Sequence, residues 1–361
     1  MNSITLVATI VNCYVGCGSG SPDRQAIHVL ECDTESGAAK LVQSIKGPQA
    51  TTYFEPDASG KWLYSIASNE RGPKLNSSAV RFPIVGGRLG EMERFAELPC
   101  TAPCHVALST DGTKMIFAAY TAATAGVLPV NGGEVKSAIL SNEGAGPNKR
   151  RQQKAFAHFA FYTPDARRIG VINLGCDRIH FFDAQTMTED KALMIRMDPG
   201  DGPRHAIWAK DNRYLYVINE LGSTVTAFSF DGKAFAKVGK WTMLPPECDS
   251  RTADGDSPAS KASAIKFTAD GKILMASNRG HESIAFYDVD TETGRLSLRN
   301  IAKLTGSFPR DFELMPGERF MIVGHEHSNE IQVYAFDRAA CTLKAVGAPI
   351  VAWQPLCFKF K

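Results

Sequence analysis

The chain has 361 residues, with 40 Lys and Arg against 38 Asp and Glu for a formal net charge of +2, and 44% of it is hydrophobic. So balanced a charge does not strongly invite a nucleic acid or an anionic membrane, and no run of 18 apolar residues exists to form a membrane-spanning helix. Nine cysteines in no tight framework suit a reducing compartment, so a cytoplasmic protein is expected.

The opening segment, MNSITLVATIVNCYVG, has neither a basic leader nor a small-residue cleavage site and reads as a strand. Beyond it, turn signals recur between pairs of apolar, β-rich runs: Ser59-Gly60, Asp111-Gly112, Asp165-Ala166, Asp211-Asn212, Asp270-Gly271 and Pro316-Gly317. From turn to turn the spacing is 46 to 59 residues, and the flanking runs alternate apolar with polar residues as β-hairpins do. Each hairpin is followed by a second strand pair, beginning near Ile27, Val80, Val127, Ile179, Val225, Ile284 and Ile331. Seven outer pairs against six complete inner ones leave a deficit at the two chain ends. QPLCFKF, from Gln354, resembles the openings GPRHAIW and FPRDFEL, and Met1 to Gly16 supplies the strand that should follow it. The expected fold is therefore all-β: a single seven-bladed propeller domain over residues 1–361, with four-stranded blades. The C-terminal strand pairs with the N-terminal one inside one blade, which leaves no free sheet edge around the ring. No run of 12 residues has helical periodicity, and PPECDSRTADGDSPASK, from Pro245 to Lys261, reads as a long polar loop.

Seven or eight positions after each turn stand Ala67, Ala119, Asn173, Asn219, Asn278 and Gly324, then Ser68, Tyr120, Leu174, Glu220, Arg279 and His325. Counting back a similar distance gives Thr52, His105, His158, Arg204 with His205, Ser263 and Arg310. The start of a hairpin's first strand and the end of its second share one edge, so these residues gather at one mouth of the central channel. Arg204, Arg279 and Arg310 from adjacent blades match carboxylate or phosphate oxygens in pairs. Glu220 and His158, partly desolvated, are expected to titrate within reach of neutral pH and to serve as acid–base groups. The alternative is that these side chains plug the channel through mutual salt bridges.

Other motifs are weaker. GCGSG at Gly16 lacks the strand–helix setting of a dinucleotide site, there is no P-loop, and no Gly-x-Ser-x-Gly elbow supports a serine triad. The Cys13/Cys17 and Cys100/Cys104 spacings, the latter beside His105, and the pair His325/His327 do not assemble four zinc ligands, so no metal and no cofactor are expected. Asn76-Ser77-Ser78 fits a glycosylation pattern that has no meaning in the cytoplasm.

At these residues the sequence resembles the lactonase family of seven-bladed propellers, which includes bacterial 6-phosphogluconolactonases and fungal carboxy-cis,cis-muconate lactonizing enzymes. The resemblance runs over essentially the whole chain through GAGPNKRRQQKAFAHFAF (from Gly144), NLGCDRI, GPRHAIWAKDNRYLYVINELGSTV, ASAIKFTADGKILMASNRG and FPRDFELMPGERF. It implies His158, Arg204, Glu220 and Arg279 as catalytic residues. Arg310, His205, His105, Asn219, Asn278 and His325 then become candidate substrate contacts, Asn219 and Asn278 as hydrogen-bond donors. Several positions depart from the family pattern: Phe156 for the first histidine of a pair, Asn173 for an aspartate, Ala119 before Tyr120, Cys17-Gly18, and Gly324-His325. The implied reaction is hydrolysis of a sugar δ-lactone such as 6-phosphoglucono-1,5-lactone, on a small anionic substrate. Lactonization of a carboxymuconate, or non-catalytic binding of an acidic ligand or protein, would use the same arginines.

Overall fold

A computed structural model describes residues 10–18, 25–46, 52–68, 77–142, 144–248 and 259–361. The strands form seven antiparallel sheets, six of four strands and one of five. Their inner strands touch in a closed cycle: Pro355–Phe360, Phe54–Pro56, Pro103–Leu108, Ala157–Tyr162, Pro203–Trp208, Lys261–Phe267, Pro309–Leu314, and back to the first. This is a seven-bladed propeller. The fifth strand of one blade arises because its outer strand is split into Arg88–Leu89 and Glu93–Leu98, both paired with Ser77–Val85. Helix is confined, among the described residues, to two three-residue 3₁₀ turns.

The expected closure is present. Pro355–Phe360 pairs with Ile10–Cys17 in the register Cys13↔Phe360 to Gly16↔Cys357. Residues 1–9 of the expected opening strand lie outside the described residues, as do Ser19 and Gly20 of GCGSG, Asn76, and residues 249–258 of the long loop.

The repeated turns have a shared physical cause. Gly60, Gly112, Ala166, Asn212, Gly271 and Gly317 all have φ between +54° and +87°. Glycine and asparagine take this conformation cheaply, whereas Ala166 does so against its Cβ. In four of the turns an aspartate accepts the backbone N–H two residues on: Asp111 from Thr113, Asp165 from Arg167, Asp211 from Arg213 and Asp270 from Lys272, at 3.0–3.1 Å. That local bond is why aspartate recurs there.

Blade stacking sets the burial pattern. The second strands, such as Tyr214–Asn219 and Ile273–Arg279, are buried on both faces and read as nearly continuous apolar runs. Seven clusters of buried apolar side chains form, one at each blade-to-blade interface. Because the core lies between blades, the channel needs no apolar filling, and the inner strands are free to carry polar and charged residues.

Candidate active site

The inner strands share an irregularity that aims their side chains. All but Phe54–Pro56 open opposite the end of their second strand, as in Ala157↔Asn173, Pro203↔Asn219, Lys261↔Arg279 and Pro309↔His325, and the register then slips. The slip leaves His158, Arg204 and Arg310 without an opposite residue and sets Ser263 and Ala264 together against Ser277. Cys104 and Leu356 are bypassed in the same way in two further blades. A bulge of this kind turns one side chain out of the strand's alternation. Proline precedes four of the bulged residues, Cys104, Arg204, Arg310 and Leu356, at a position that lacks an N–H to donate.

Glu220 is the centre of the resulting cluster. It follows Asn219, and its backbone bridges two blades, N–H to Gly202 O at 2.7 Å and O from Ala262 N–H at 3.2 Å. Its carboxylate is almost fully buried. Oε1 accepts from Arg151 Nη2 at 2.6 Å; Oε2 lies 2.9 Å from Arg279 Nη2 and 3.2 Å from Arg204 Nε. The Arg204 contact is ionic only, since that N–H is not aligned as a hydrogen bond.

Both inner arginines are tied to backbone. Arg279 donates to Lys261 O and Ala262 O, and Arg204 Nη1 donates to Ser263 O at 2.9 Å and to His205 Nε2 at 3.0 Å. Arg204 Nη2 and Arg279 Nη1 have no protein partner among the described residues. His158 stands beside them, its ring 5.3 Å from that of His205 and 5.4 Å from that of Tyr120. Its Nδ1 is buried without a partner, whereas Nε2 is not among the buried, unpartnered atoms.

The titration expected from the sequence is overturned. Burial alone would raise the Glu220 carboxyl, but Arg279, Arg151 and Arg204 together hold it well below the usual carboxylate range. His158 is pushed well below 6.5 by burial, reinforced by Arg204. Near neutral pH, Glu220 is therefore a fixed anion with no proton to give, and His158 is a neutral imidazole. Burial and the neighbouring Arg279 bring Arg204 down to about 9, which still leaves it charged.

Of the remaining residues singled out from the sequence, His205 and Arg310 adjoin this cluster and the others lie apart from it. Arg310 points its Nη1 at Glu326 Oε2, 3.0 Å away, at the mouth. His205 takes the Arg204 bond and packs on Phe159, while His105 lies deeper, between Tyr53 and Phe159, with Nδ1 accepting the Ala160 N–H at 3.3 Å. Asn219 spends its N–H donors on Thr224 and Thr226, and Asn278 spends its own on Met243 O and Ser283. Neither therefore offers the donor expected of it. His325 is turned into a blade interface, where Nε2 meets Tyr334 at 3.2 Å and burial lowers it to about 4. His327 stacks on Phe308 instead. No group of three or more His, Cys, Asp or Glu is placed to hold a metal ion among the described residues, and all nine cysteines are free thiols.

Arg151 is the residue that sequence reasoning missed. It lies on the connection between two blades, outside the repeat, so no register position points to it. Asn148 builds its turn, with Oδ1 accepting the N–H groups of Arg150 and Arg151 and its carbonyl accepting that of Gln152. The asparagine three residues before it was the available signal.

The sequence model described as "Lactonase, 7-bladed beta-propeller" matches residues 12–360, and the chain belongs to that family. It is 26% identical to the 6-phosphogluconolactonase of Bacillus subtilis over 93% of this chain and 94% of that one. It is 27% identical to the 6-phosphogluconolactonase of Formosa agariphila over 90% and 92% of the two chains. Among solved structures, the periplasmic gluconolactonase of Pseudomonas aeruginosa superposes with a TM-score of 0.85 at 23% identity, covering 98% of this chain and 99% of that one, a likeness of fold.

Proposed function

We propose that the chain hydrolyses a sugar δ-lactone at this mouth, with 6-phosphoglucono-1,5-lactone as substrate. The observation that carries the reading is a neutral, uncommitted imidazole beside two rigid guanidiniums that each keep a free donor. Lactone opening needs a base for water and donors where charge develops on the carbonyl oxygen.

With its proton on Nδ1, His158 presents Nε2 to a water molecule and takes a proton from it as the water oxygen bonds to the carbonyl carbon. Arg204 Nη2 and Arg279 Nη1 receive the oxyanion. As the tetrahedral centre collapses, the bond to the ring oxygen breaks, and protonated His158 returns its proton to that oxygen, which leaves as a hydroxyl. Glu220 moves no proton. It is a positioning residue that keeps three guanidiniums together. Burial makes His158 a weak base in the free protein, and a bound anion that offsets Arg204 raises it toward usefulness.

Support also comes from the family and from relatives named for this reaction. The proposed partner is a small anionic lactone, with neither nucleic acid nor membrane. No helix is long and apolar enough to cross a membrane among the described residues. The cytoplasm is the compartment we propose, on the cysteine usage.

His158→Ala should lower kcat by about 10²- to 10⁴-fold, the contribution of a positioned base, while circular dichroism stays that of the wild type. Full turnover in a folded variant would remove the base. The acid limb of the wild-type kcat/KM profile should lie below pH 6.5, since His158 protonates only there.

A further inference from the structure

The four inner groups of the cluster account for chemistry at a carbonyl, but they leave cationic charge over at the rim. Among the described residues, five cations, Arg151, Arg204, Arg279, Arg310 and Lys261, meet two carboxylates, Glu220 and Glu326. Two of the cations differ in kind from Arg204 and Arg279. Arg151 is 27% exposed at its side chain, against 3% and 5% for those two, so it covers Glu220 from the solvent side. Lys261 opens the inner strand opposite Arg279, and its ammonium has no carboxylate partner among the described residues. Its carbonyl accepts Arg279 Nε at 3.2 Å, which seats Lys261 beside the cluster, and after burial the charge of Arg151 is what most lowers its proton affinity.

The rim is also built to hold its shape. Gln152, almost fully buried, ties the connection down: Nε2 donates to Leu174 O at 3.0 Å and Oε1 accepts the Asn148 N–H at 3.2 Å. Gly146 lies against that side chain so closely that a Cβ would fall 2.3 Å from it. On the other flank Tyr120 stacks on Phe156, ring centres 4.6 Å apart, and its hydroxyl lies 3.4 Å from Arg151 Nη2. A long cationic side chain on a surface connection ordinarily roams; this one is fixed by a turn, a buried glutamine and an aromatic wall.

We propose that Arg151 and Lys261 form a subsite for the substrate's pendant anionic group, separate from the arginines that face the reacting carbonyl. The inference rests on the lactonase reading for its substrate but not for its chemistry, which is recognition of a phosphate monoester or carboxylate by a guanidinium fork and an ammonium. Arg151 need only turn one N–H edge outward while the other keeps Glu220, since guanidinium carries five donors.

The test is a discrimination ratio. The kcat/KM for 6-phosphoglucono-δ-lactone is divided by that for glucono-δ-lactone, the same ring without the phosphate, in wild type, Arg151→Ala, Arg151→Lys and Lys261→Ala. Loss of a charge-assisted contact should lower the ratio by about 10- to 100-fold in each alanine variant. Arg151→Lys should recover part of it. A merely structural role would depress both substrates alike, and an unchanged ratio overturns the proposal. Calorimetric titration with inorganic phosphate runs in parallel and needs no turnover. Weaker phosphate binding in Arg151→Ala supports the subsite even if no lactone is opened by the wild type, an outcome that would instead sink the lactonase reading. Equal phosphate binding in wild type and both alanine variants overturns the subsite whatever the turnover.

Discussion

Replacing Glu220 by glutamine keeps the shape of the cluster's centre and removes its charge. Three guanidiniums then face one another around an amide that can neutralise none of them. Arg204 and Arg279 cannot swing away cheaply, because backbone carbonyls of Lys261, Ala262 and Ser263 hold their other N–H groups. Breaking a buried ion pair by removing one partner costs about 3–5 kcal/mol, and the contacts of 2.6, 2.9 and 3.2 Å around a carboxylate only 3% exposed put Glu220 in that class. Urea unfolding of Glu220→Gln should therefore show a stability loss of this size. Sulfate, a divalent anion able to supply the lost charge at the guanidiniums' free donors, should restore about 2–3 kcal/mol when present at 100-fold excess over its Kd. A loss below about 1 kcal/mol with no response to sulfate would refute the reasoning. It would mean that the guanidiniums relax into water and that Glu220 is not their counter-charge.

Stability should depend on pH through the channel histidines. Burial, seconded by nearby cations, holds His105, His158 and His205 well below 6.5. The unfolded chain takes up protons near 6.5 where the folded one does not, so stability is flat above about pH 7.5 and falls as pH drops through 6.5. Each ring kept neutral in the folded chain adds to that loss as the pH falls below 6.5. Urea midpoints that do not move between pH 7.5 and 5.5 would contradict the burial of these rings. At the closing blade, a Cβ on Gly324 would fall 2.6 Å from Phe358 and 3.0 Å from Pro355 O, so Gly324→Ala should cost about 1–3 kcal/mol by overpacking. A thermal midpoint equal to wild type would show that the interface has slack.

Much of this architecture is visible in the chain before any coordinates. The turn residues betray the hairpins because φ near +60° selects glycine and asparagine, and aspartate caps its own turn. The odd closing strand is legible because the proline that opens Pro355–Phe360 also opens Pro203–Trp208 and Pro309–Leu314. Periodicity likewise points to Arg204, Glu220 and Arg279, since each breaks a repeat that otherwise puts small residues at the channel's edge.

Less visible is anything that depends on neighbours from other blades. The bulges that turn His158, Arg204 and Arg310 outward are hydrogen-bond irregularities with no apolar signature. The titration of Glu220 is not legible in the repeat because one of its three guanidiniums, Arg151, comes from a connection outside it. His325 shares the register position of Arg279 yet faces Tyr334, because strand ends at the same edge need not present the same side. The departures from the family pattern gain physical sense only in three dimensions. Gly324 makes room for Phe358, and Phe156 stacks on Tyr120.

The most direct test of the central claim is opening of freshly generated 6-phosphoglucono-δ-lactone, coupled to 6-phosphogluconate dehydrogenase and run beside the spontaneous reaction, with wild type and Arg279→Ala. The account predicts wild-type catalysis well above background that collapses in the variant, whose free Nη1 donor is gone. Wild-type opening at the spontaneous rate would contradict the proposed substrate and reaction, and full activity in Arg279→Ala would move the chemistry away from this mouth.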